Sequence, residues 1–415
     1  MAAGAPDVRQ GHGRSVSGPQ SSIGPMTDSA REAARFLTRN AVDALPAGEL
    51  ERQLANGRPL RVKLGVDPTT PDIHLGHTVV LTKLREFQDL GHTVVLIIGD
   101  YTARVGDPSG RSSARPQADP AEIDRNAETY ETQAFKVLDR ARTEVRHNSE
   151  WLAMPMEDLF RLARTSTVAQ LLERDDFAKR YAAGDPISIL ELLYPLLQGY
   201  DSVAVRADVE LGATDQKFNV LLARDVQQAY GVEPQSILTM PILPGIDGVR
   251  KMSKSLDNYV GVDEPPQEIY GKLMRVPDSA MPTYYELLLD GPPDPSMPPR
   301  DAKRAMARAL TARFHGEEAA RAAQERFDTL HVRRELPEEV EEFAFAGDDG
   351  TVHVPALLAA AFGISRSEGR RLLAQSGVRL DGRAIGEEQL EMPAEELDGA
   401  VIQLGKRRFK RLRRR

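Results

Sequence analysis

Val62-Lys63-Leu64-Gly65-Val66, ending at Asp67-Pro68 and followed by Thr69-Thr70-Pro71-Asp72-Ile73-His74-Leu75-Gly76-His77, is the stretch on which the fold of this chain turns. The first five residues are a short apolar run. Val79, Leu81, Leu84, Phe87 and Leu90 then recur at roughly helical spacing until Gly91, and Val94 to Ile98 is a second apolar run. Strand, helix and strand with short joints predict a βαβ unit and a parallel sheet. Ligands of such sheets gather at the carboxyl ends of strands, so the segments after Val66 and Ile98 are where a site is expected. The second of these carries Gly99-Asp100-Tyr101 and Gly106-Asp107-Pro108-Ser109-Gly110. A third such joint, Gly212-Ala213-Thr214-Asp215-Gln216, follows Val209-Glu210-Leu211 and leads into a helical pattern from Lys217 to Tyr230.

The chain is 415 residues long, too long for one ordinary core, and two or three domains are expected. With 41% apolar and 28% charged residues it reads as a globular protein, and no apolar stretch is long enough to cross a bilayer. The sequence contains no cysteine, which excludes disulfides, thiolate zinc sites and a cysteine nucleophile and makes the cytoplasm the expected location. Residues 1–30 are predicted as a disordered tail: they are Gly/Ser/Pro-rich, lack the apolar centre of a secretory signal, and leave Met26 as an alternative start. A net charge of −8 argues against indiscriminate coating of nucleic acid. The last ten residues, 406–415, are nevertheless almost wholly basic; such a run is usually a solvated tail, but its neighbours here point towards RNA.

Farther along, Pro292 to Pro299 breaks the chain, Ala302 to Leu330 has helical spacing, and Gly347-Asp348-Asp349-Gly350 reads as a linker. Val354 to Leu373 predicts two short helices, and Val378 to Arg383 a tight hairpin. The domains expected are therefore a sheet domain over 31–262, a helical domain over 263–346 and a small domain over 351–415.

Two constellations carry chemistry. His74 and His77, three apart in what should be a first helical turn, place two imidazoles near a positive helix end, while Gly76 lets a flat base or phosphate approach the backbone. An ordinary helix start with two surface histidines remains an alternative, and a zinc pair lacks further ligands. Lys251-Met252-Ser253-Lys254-Ser255 follows Gly245 and Gly248, giving two ammonium groups on a loop able to neutralise charge on a leaving pyrophosphate.

Together these motifs resemble the two signatures of class I aminoacyl-tRNA synthetases, and from about Ala34 onward the chain resembles the bacterial tyrosyl-tRNA synthetases. Gly106 to Gly110, Tyr194-Pro195-Leu196-Leu197-Gln198-Gly199-Tyr200-Asp201 and Thr214-Asp215-Gln216 carry the wider likeness. The resemblance implies a Rossmann-type α/β catalytic domain, an α-helical tRNA anticodon-binding domain and a C-terminal α+β RNA-binding domain similar to part of a ribosomal protein. It implies that His74, His77, Lys251 and Lys254, helped by Arg111 and Arg115, act on the phosphates. Gly65, Asp67, Thr69, Gly76, Asp215 and Ser253 would join them in holding ATP and the adenylate. Asp107, Tyr194 and Gln198 would hold the α-ammonium of tyrosine, Asp201 would accept its phenol proton, and Gln216 would face its carboxyl side. Tyr194, Gln198 and Asp201, at i, i+4 and i+7, would share one helix face.

At Lys63 the better-known members carry a tyrosine that also reads the phenol, so phenol recognition here lies partly elsewhere; a second bacterial subgroup shares this departure. Arg366, Arg370 and Arg371, with Lys406, Arg407, Arg408, Lys410 and Arg411, would contact RNA. The implied partners are tyrosine, ATP with Mg2+, tRNA(Tyr) and a second copy of the chain, with no metal bound by the protein itself and no membrane. Competing expectations are tryptophan activation on the same fold, a nucleotidyltransferase making a small cofactor, and a silent RNA-binding paralogue.

Overall fold

In the computed structural model the described residues are 28–69, 71–108, 119–289, 291–333, 340–347, 350–405 and 408–415. Most of the expected N-terminal tail, together with Arg111, Arg115, Lys406 and Arg407, lies outside them; Asp28 to Ala30 already belong to a helix, Asp28–Thr38.

Six strands, β1 (Asp43–Leu45), β2 (Arg61–Val66), β3 (Thr93–Ile98), β4 (Thr143–His147), β5 (Val209–Ala213) and β6 (Ser236–Met240), form one sheet in the order β1-β6-β5-β2-β3-β4. All neighbours run parallel except β1 against β6. Val94 to Ile98 are buried throughout, as a strand covered on both faces requires. The helix Leu75–Asp89 joins β2 to β3 and buries Val79, Leu81, Leu84 and Phe87. Gly91 ends it at φ 89°, with the His92 N–H donated to the Phe87 carbonyl at 3.0 Å and its own to Gln88 at 2.9 Å, a left-handed cap that glycine adopts without strain. The predicted βαβ unit is therefore present.

Strand order reverses between β2 and β5, and these two share only two register pairs, Val62 with Val209 and Lys63 with Glu210. Beyond that rung no further residues pair, and a parting of this kind at a switch point is where open α/β sheets take ligands.

By internal packing the chain forms two units. One joins the described residues before 71 to 80–131 and 137–241; the other joins 71–79 and 132–136 to the residues from 242 onward. In the second unit the predicted helical stretch is realised as Pro299–His315 and Glu317–Asp328, tied by Arg304 Nη1 to Asp328 Oδ1 at 2.6 Å, with Pro266–Leu273 and Met281–Leu288 before it.

The C-terminal part holds β7 (Glu342–Phe345), β8 (Thr351–His353), β9 (Val378–Leu380), β10 (Arg383–Ile385), β11 (Glu391–Pro393), β12 (Val401–Leu404) and β13 (Arg408–Arg414). Five of them form a sheet in the order β10-β9-β12-β13-β7. The expected helices are Val354–Phe362 and Arg366–Ala374, and the β9–β10 turn has Asp381 and Gly382 both at positive φ, 48° and 80°, as a two-residue hairpin turn demands. Of the basic run, Arg408–Arg414 is no loose tail but an interior strand, antiparallel to β12 and parallel to β7. Backbone bonding on both edges and the fully buried Leu412 outweigh the charge, whose heads turn outward to Glu341 (Lys410, 2.5 Å) and Glu342 (Arg413, 3.0 Å).

Candidate functional site

In the first unit the polar residues singled out by sequence come together. The helix Ile189–Val205 starts with a capping box between Ser188 and Glu191 and presents Tyr194, Gln198 and Asp201 on one side. The Tyr194 hydroxyl donates to Asp67 Oδ2 at 2.9 Å, and Thr102 Oγ1 donates to Asp67 Oδ1 at 2.7 Å. A Cβ on Gly99 would lie 2.1 Å from Asp67 Oδ1, so only glycine allows the carboxylate this seat. Burial, with Asp107 and Asp201 nearby, pushes the Asp67 carboxyl up to about 7 despite its two donors.

Asp107, on the segment after β3, accepts from Gln216 Nε2 at 2.9 Å and is 3.4 Å from Arg174. Arg174 also donates to Asn219 Oδ1 at 3.0 Å, and Asn219 in turn donates to Gln198 Oε1 at 2.9 Å and Gln216 Oε1 at 3.0 Å. Asp201, 3% exposed, accepts from Trp151 Nε1 at 2.8 Å and more distantly from Asn148 Nδ2 at 3.4 Å. Its carboxyl is lifted to about 6, chiefly by burial, with Lys63 and these donors pulling it down. Asp215 lies exposed on the turn Thr214–Gln216, and Gly65 has open space where a side chain would stand.

In the second unit the two signature loops are joined by backbone bonds. Leu75 donates to Val260 at 2.9 Å, Val262 donates to Ile73 at 3.0 Å, and His74 bridges Gly261. The His74 and His77 rings stack at 3.9 Å. Each Nδ1 accepts a backbone N–H, His74 from Gly76 at 3.1 Å and His77 from His74 at 3.2 Å, which assigns both rings as neutral with the proton on Nε2. Burial first, then the adjacent His77 ring and Lys254, lowers His74 to about 2, and burial followed by Lys254 lowers His77 to about 4. The pair is thus a set of neutral donors, capping their own helix, and not the cationic anion trap that proximity to a helix end suggests. Gly76 is required for this: a Cβ there would meet His74 Cε1 at 2.9 Å.

Lys254 pairs with Asp72 and lies 5.5 Å from the centre of the Tyr259 ring, while Lys251 is exposed. Asn258, 2% exposed, pins the lysine loop at its base: its Oδ1 accepts from Ser253 N at 2.8 Å, and its Nδ2 donates to Lys251 O at 3.1 Å and Asp247 Oδ2 at 2.9 Å. His74, His77 and Lys254 therefore converge, since Lys254 is among the charges that depress both imidazoles.

On the C-terminal helix Arg366–Ala374, Arg366, Arg370 and Arg371 are exposed; Arg408 is exposed, and Lys410 and Arg411 are half-buried. Sequence reasoning missed Asn148, Trp151, Arg174, Asn219, Asp72 and Asn258. Of these only Trp151, the sole tryptophan, carried a signal in composition. Among the described residues no group of three or more His, Asp and Glu is arranged to hold a metal ion.

Residues 55–332 match the model for tRNA synthetases class I (W and Y). The tyrosine–tRNA ligase of Moorella thermoacetica is 50% identical over 395 residues, covering 91% of this chain and 95% of that one. That of Thermotoga maritima is 49% identical over 393 residues, covering 92% and 97%. Among solved structures, the Archaeoglobus fulgidus tyrosyl-tRNA synthetase complexed with L-tyrosine superposes with a TM-score of 0.60 at 24% identity, over 71% of this chain and 99% of that one, a likeness of fold. Signature loops, sheet order and half-identical relatives agree, and the chain belongs to the class I tRNA synthetases of the tryptophan and tyrosine type, in the group of the bacterial tyrosine–tRNA ligases.

Proposed function

We propose that the chain activates L-tyrosine with ATP and transfers it to the 3′-terminal adenosine of tRNA(Tyr). The observation that carries this reading is Asp201, a buried carboxylate facing the same way as Tyr194 and Gln198. A phenol O–H can donate to such an acceptor; a phenyl ring of similar size brings it no donor, at a cost of about 1–3 kcal/mol or more. Asp107, Tyr194 and Gln198 receive the α-ammonium, and Gln216 faces the carboxyl side.

In the first step a tyrosine carboxylate oxygen attacks the α-phosphorus of ATP, the bond to the β-phosphate oxygen breaks, and pyrophosphate leaves. ATP enters with its magnesium. Gly65, Asp67, Thr69, Gly76, Asp215 and Ser253 line the nucleotide, and the Nε2–H groups of His74 and His77, with Lys251 and Lys254, meet the phosphate charge; Arg111 and Arg115 assist the leaving group. In the second step a ribose hydroxyl of the tRNA attacks the acyl carbon and AMP departs. No protein nucleophile is needed, because positioning and charge stabilisation lower both barriers.

The helices of 263–346 serve the anticodon, and 351–415 bind RNA through Arg366, Arg370, Arg371, Lys406, Arg407, Arg408, Lys410 and Arg411. Met156, Phe160, Val168 and Ile189, between 57% and 78% exposed, support assembly as a homodimer, since apolar side chains of this size are seldom left to water in number. No helix among the described residues is long and apolar enough to span a membrane. The test is exchange of labelled pyrophosphate into ATP with each amino acid in turn. Tyrosine alone should stimulate it; stimulation by tryptophan, or by nothing, overturns the assignment.

A further inference from the structure

The Lys63 ammonium is fully enclosed: it lies 2.9 Å from the Glu210 carboxylate as an ion pair and donates to Ser202 Oγ at 2.8 Å and to the Gln198 carbonyl at 3.0 Å. With an ion pair and two hydrogen bonds around a nitrogen that is fully buried, the ammonium is directed at the protein and not at a substrate hydroxyl. Glu210, equally buried, accepts in turn from Ser202 Oγ at 3.1 Å, from Gln198 Nε2 at 3.3 Å and from Gln235 Nε2. The pair is created by sheet register, since Lys63 and Glu210 face each other on the last rung joining β2 to β5. Gln198 and Ser202 lie one turn apart on the helix that carries Asp201 between them.

We propose that the buried Lys63–Glu210 pair is a positioning device for phenol recognition, clamping the Gln198–Ser202 turn and setting the field at Asp201 without touching the substrate. This rests on the tyrosine-ligase reading above. A buried ion pair is a poor way to gain stability, because desolvation offsets most of the attraction; here both partners hold residues of the binding helix instead. Asp201 is surrounded by Asn148 and Trp151 as donors, Lys63 from β2, Glu210 from β5, and Asp67 and Tyr194 beyond. Burial lifts its carboxyl to about 6; Lys63 opposes that lift more strongly than Glu210 adds to it. The pair as a whole therefore keeps Asp201 ionised.

Two variants move that field in opposite directions. Glu210→Gln keeps the cation and removes the neighbouring negative charge; Lys63→Met with Glu210→Met removes both. The KM for tyrosine in pyrophosphate exchange, followed over roughly pH 5 to 8, should rise as pH falls through the Asp201 titration. Relative to wild type, that limb should move to lower pH in Glu210→Gln and to higher pH in the double variant. A displacement of about one unit corresponds to roughly tenfold in KM on the acid side. KM for ATP should stay constant. Limbs unchanged in both variants, or displaced in the same direction, with thermal melts showing both folded, overturn the proposal. If the double variant does not fold, the direction of the Glu210→Gln limb decides alone. A wild-type chain with no tyrosine-dependent exchange at any pH sinks the ligase reading itself, and this inference with it.

Discussion

Asp107, Gln198 and Asp201 in the first unit are held by partners that are themselves held, from Arg174 through Asn219 to Gln216, whereas in the second unit Lys251 is exposed and Lys254 is tied to a single half-exposed carboxylate, Asp72. The contrast follows from the chemistry each region is proposed to perform. Selecting an amino acid requires dipoles fixed before it arrives, in a site that water does not rearrange. Charge on a leaving pyrophosphate develops only as the bond breaks, and cations on a loop that exchanges one partner for another meet it then. The neutral imidazoles stand between these extremes: their rings are fixed by backbone bonds, and their remaining N–H groups can stabilise the transferring phosphate without repelling the lysines.

Breaking the second region should have the largest effect. His77→Ala or Lys254→Ala is expected to lower kcat for tyrosine-dependent exchange by ~10²–10³-fold, the range for losing one transition-state donor. KM for tyrosine should barely change, because neither group lies in the amino-acid network. A loop variant that altered tyrosine KM and spared kcat would erase the distinction. Breaking the first region should reverse the pattern. Asp107→Asn removes the charge offered to the substrate ammonium, and a charge-assisted hydrogen bond of about 1.5–3 kcal/mol predicts a tyrosine KM roughly 10–150-fold higher in steady-state exchange.

Asp67 sharpens the comparison by its effect on stability. Its folded-state carboxyl, near 7, lies above the ordinary value of 3.8, so the folded protein binds the extra proton between those values. The cost of keeping it ionised is fully present above pH 7 and disappears as pH falls towards 4. Asp67→Asn should therefore raise Tm at pH 8 by roughly 2–4 °C, equivalent to about 1 kcal/mol, and the gain over wild type should shrink at pH 5. Activity should fall at the same time, as expected where a binding site is kept at the expense of stability. A Tm gain that is independent of pH would mean that the carboxylate is not strained.

The parts of this design that can be read from sequence are those written within a few residues of one another. The apolar runs around Leu75–Asp89, the two histidines, the lysine loop and the helical face of Tyr194, Gln198 and Asp201 all have local spacing as their signature. What could not be read depends on pairing across the chain. Lys63 meets Glu210 only through the register of β2 and β5, Trp151 reaches Asp201 from another segment, and the basic C-terminus becomes a strand because Glu342–Phe345 lies beside it. The charge state of the histidines was hidden for a related reason. Spacing places them at a helix start, but only atomic contacts reveal that each Nδ1 is already an acceptor.

The smallest expected effect lies in a region that should disturb neither of the two compared above. Arg366 and Arg370 stand one turn apart and exposed on the helix Arg366–Ala374, and Arg371 lies 3.7 Å from Glu368, a distance at which an exposed pair contributes little. If these side chains hold tRNA phosphates, Arg370→Ala should weaken tRNA binding by a few fold and reduce the slope of log affinity against log salt by about one. Pyrophosphate exchange, which involves no tRNA, should proceed at the wild-type rate. Measuring the slope separates a phosphate contact from a folding defect, because a destabilised module would lose affinity without losing its salt dependence. If binding weakens while the slope stays fixed, the helix supports the RNA surface and does not form it, and the contact passes to neighbouring groups such as Arg408.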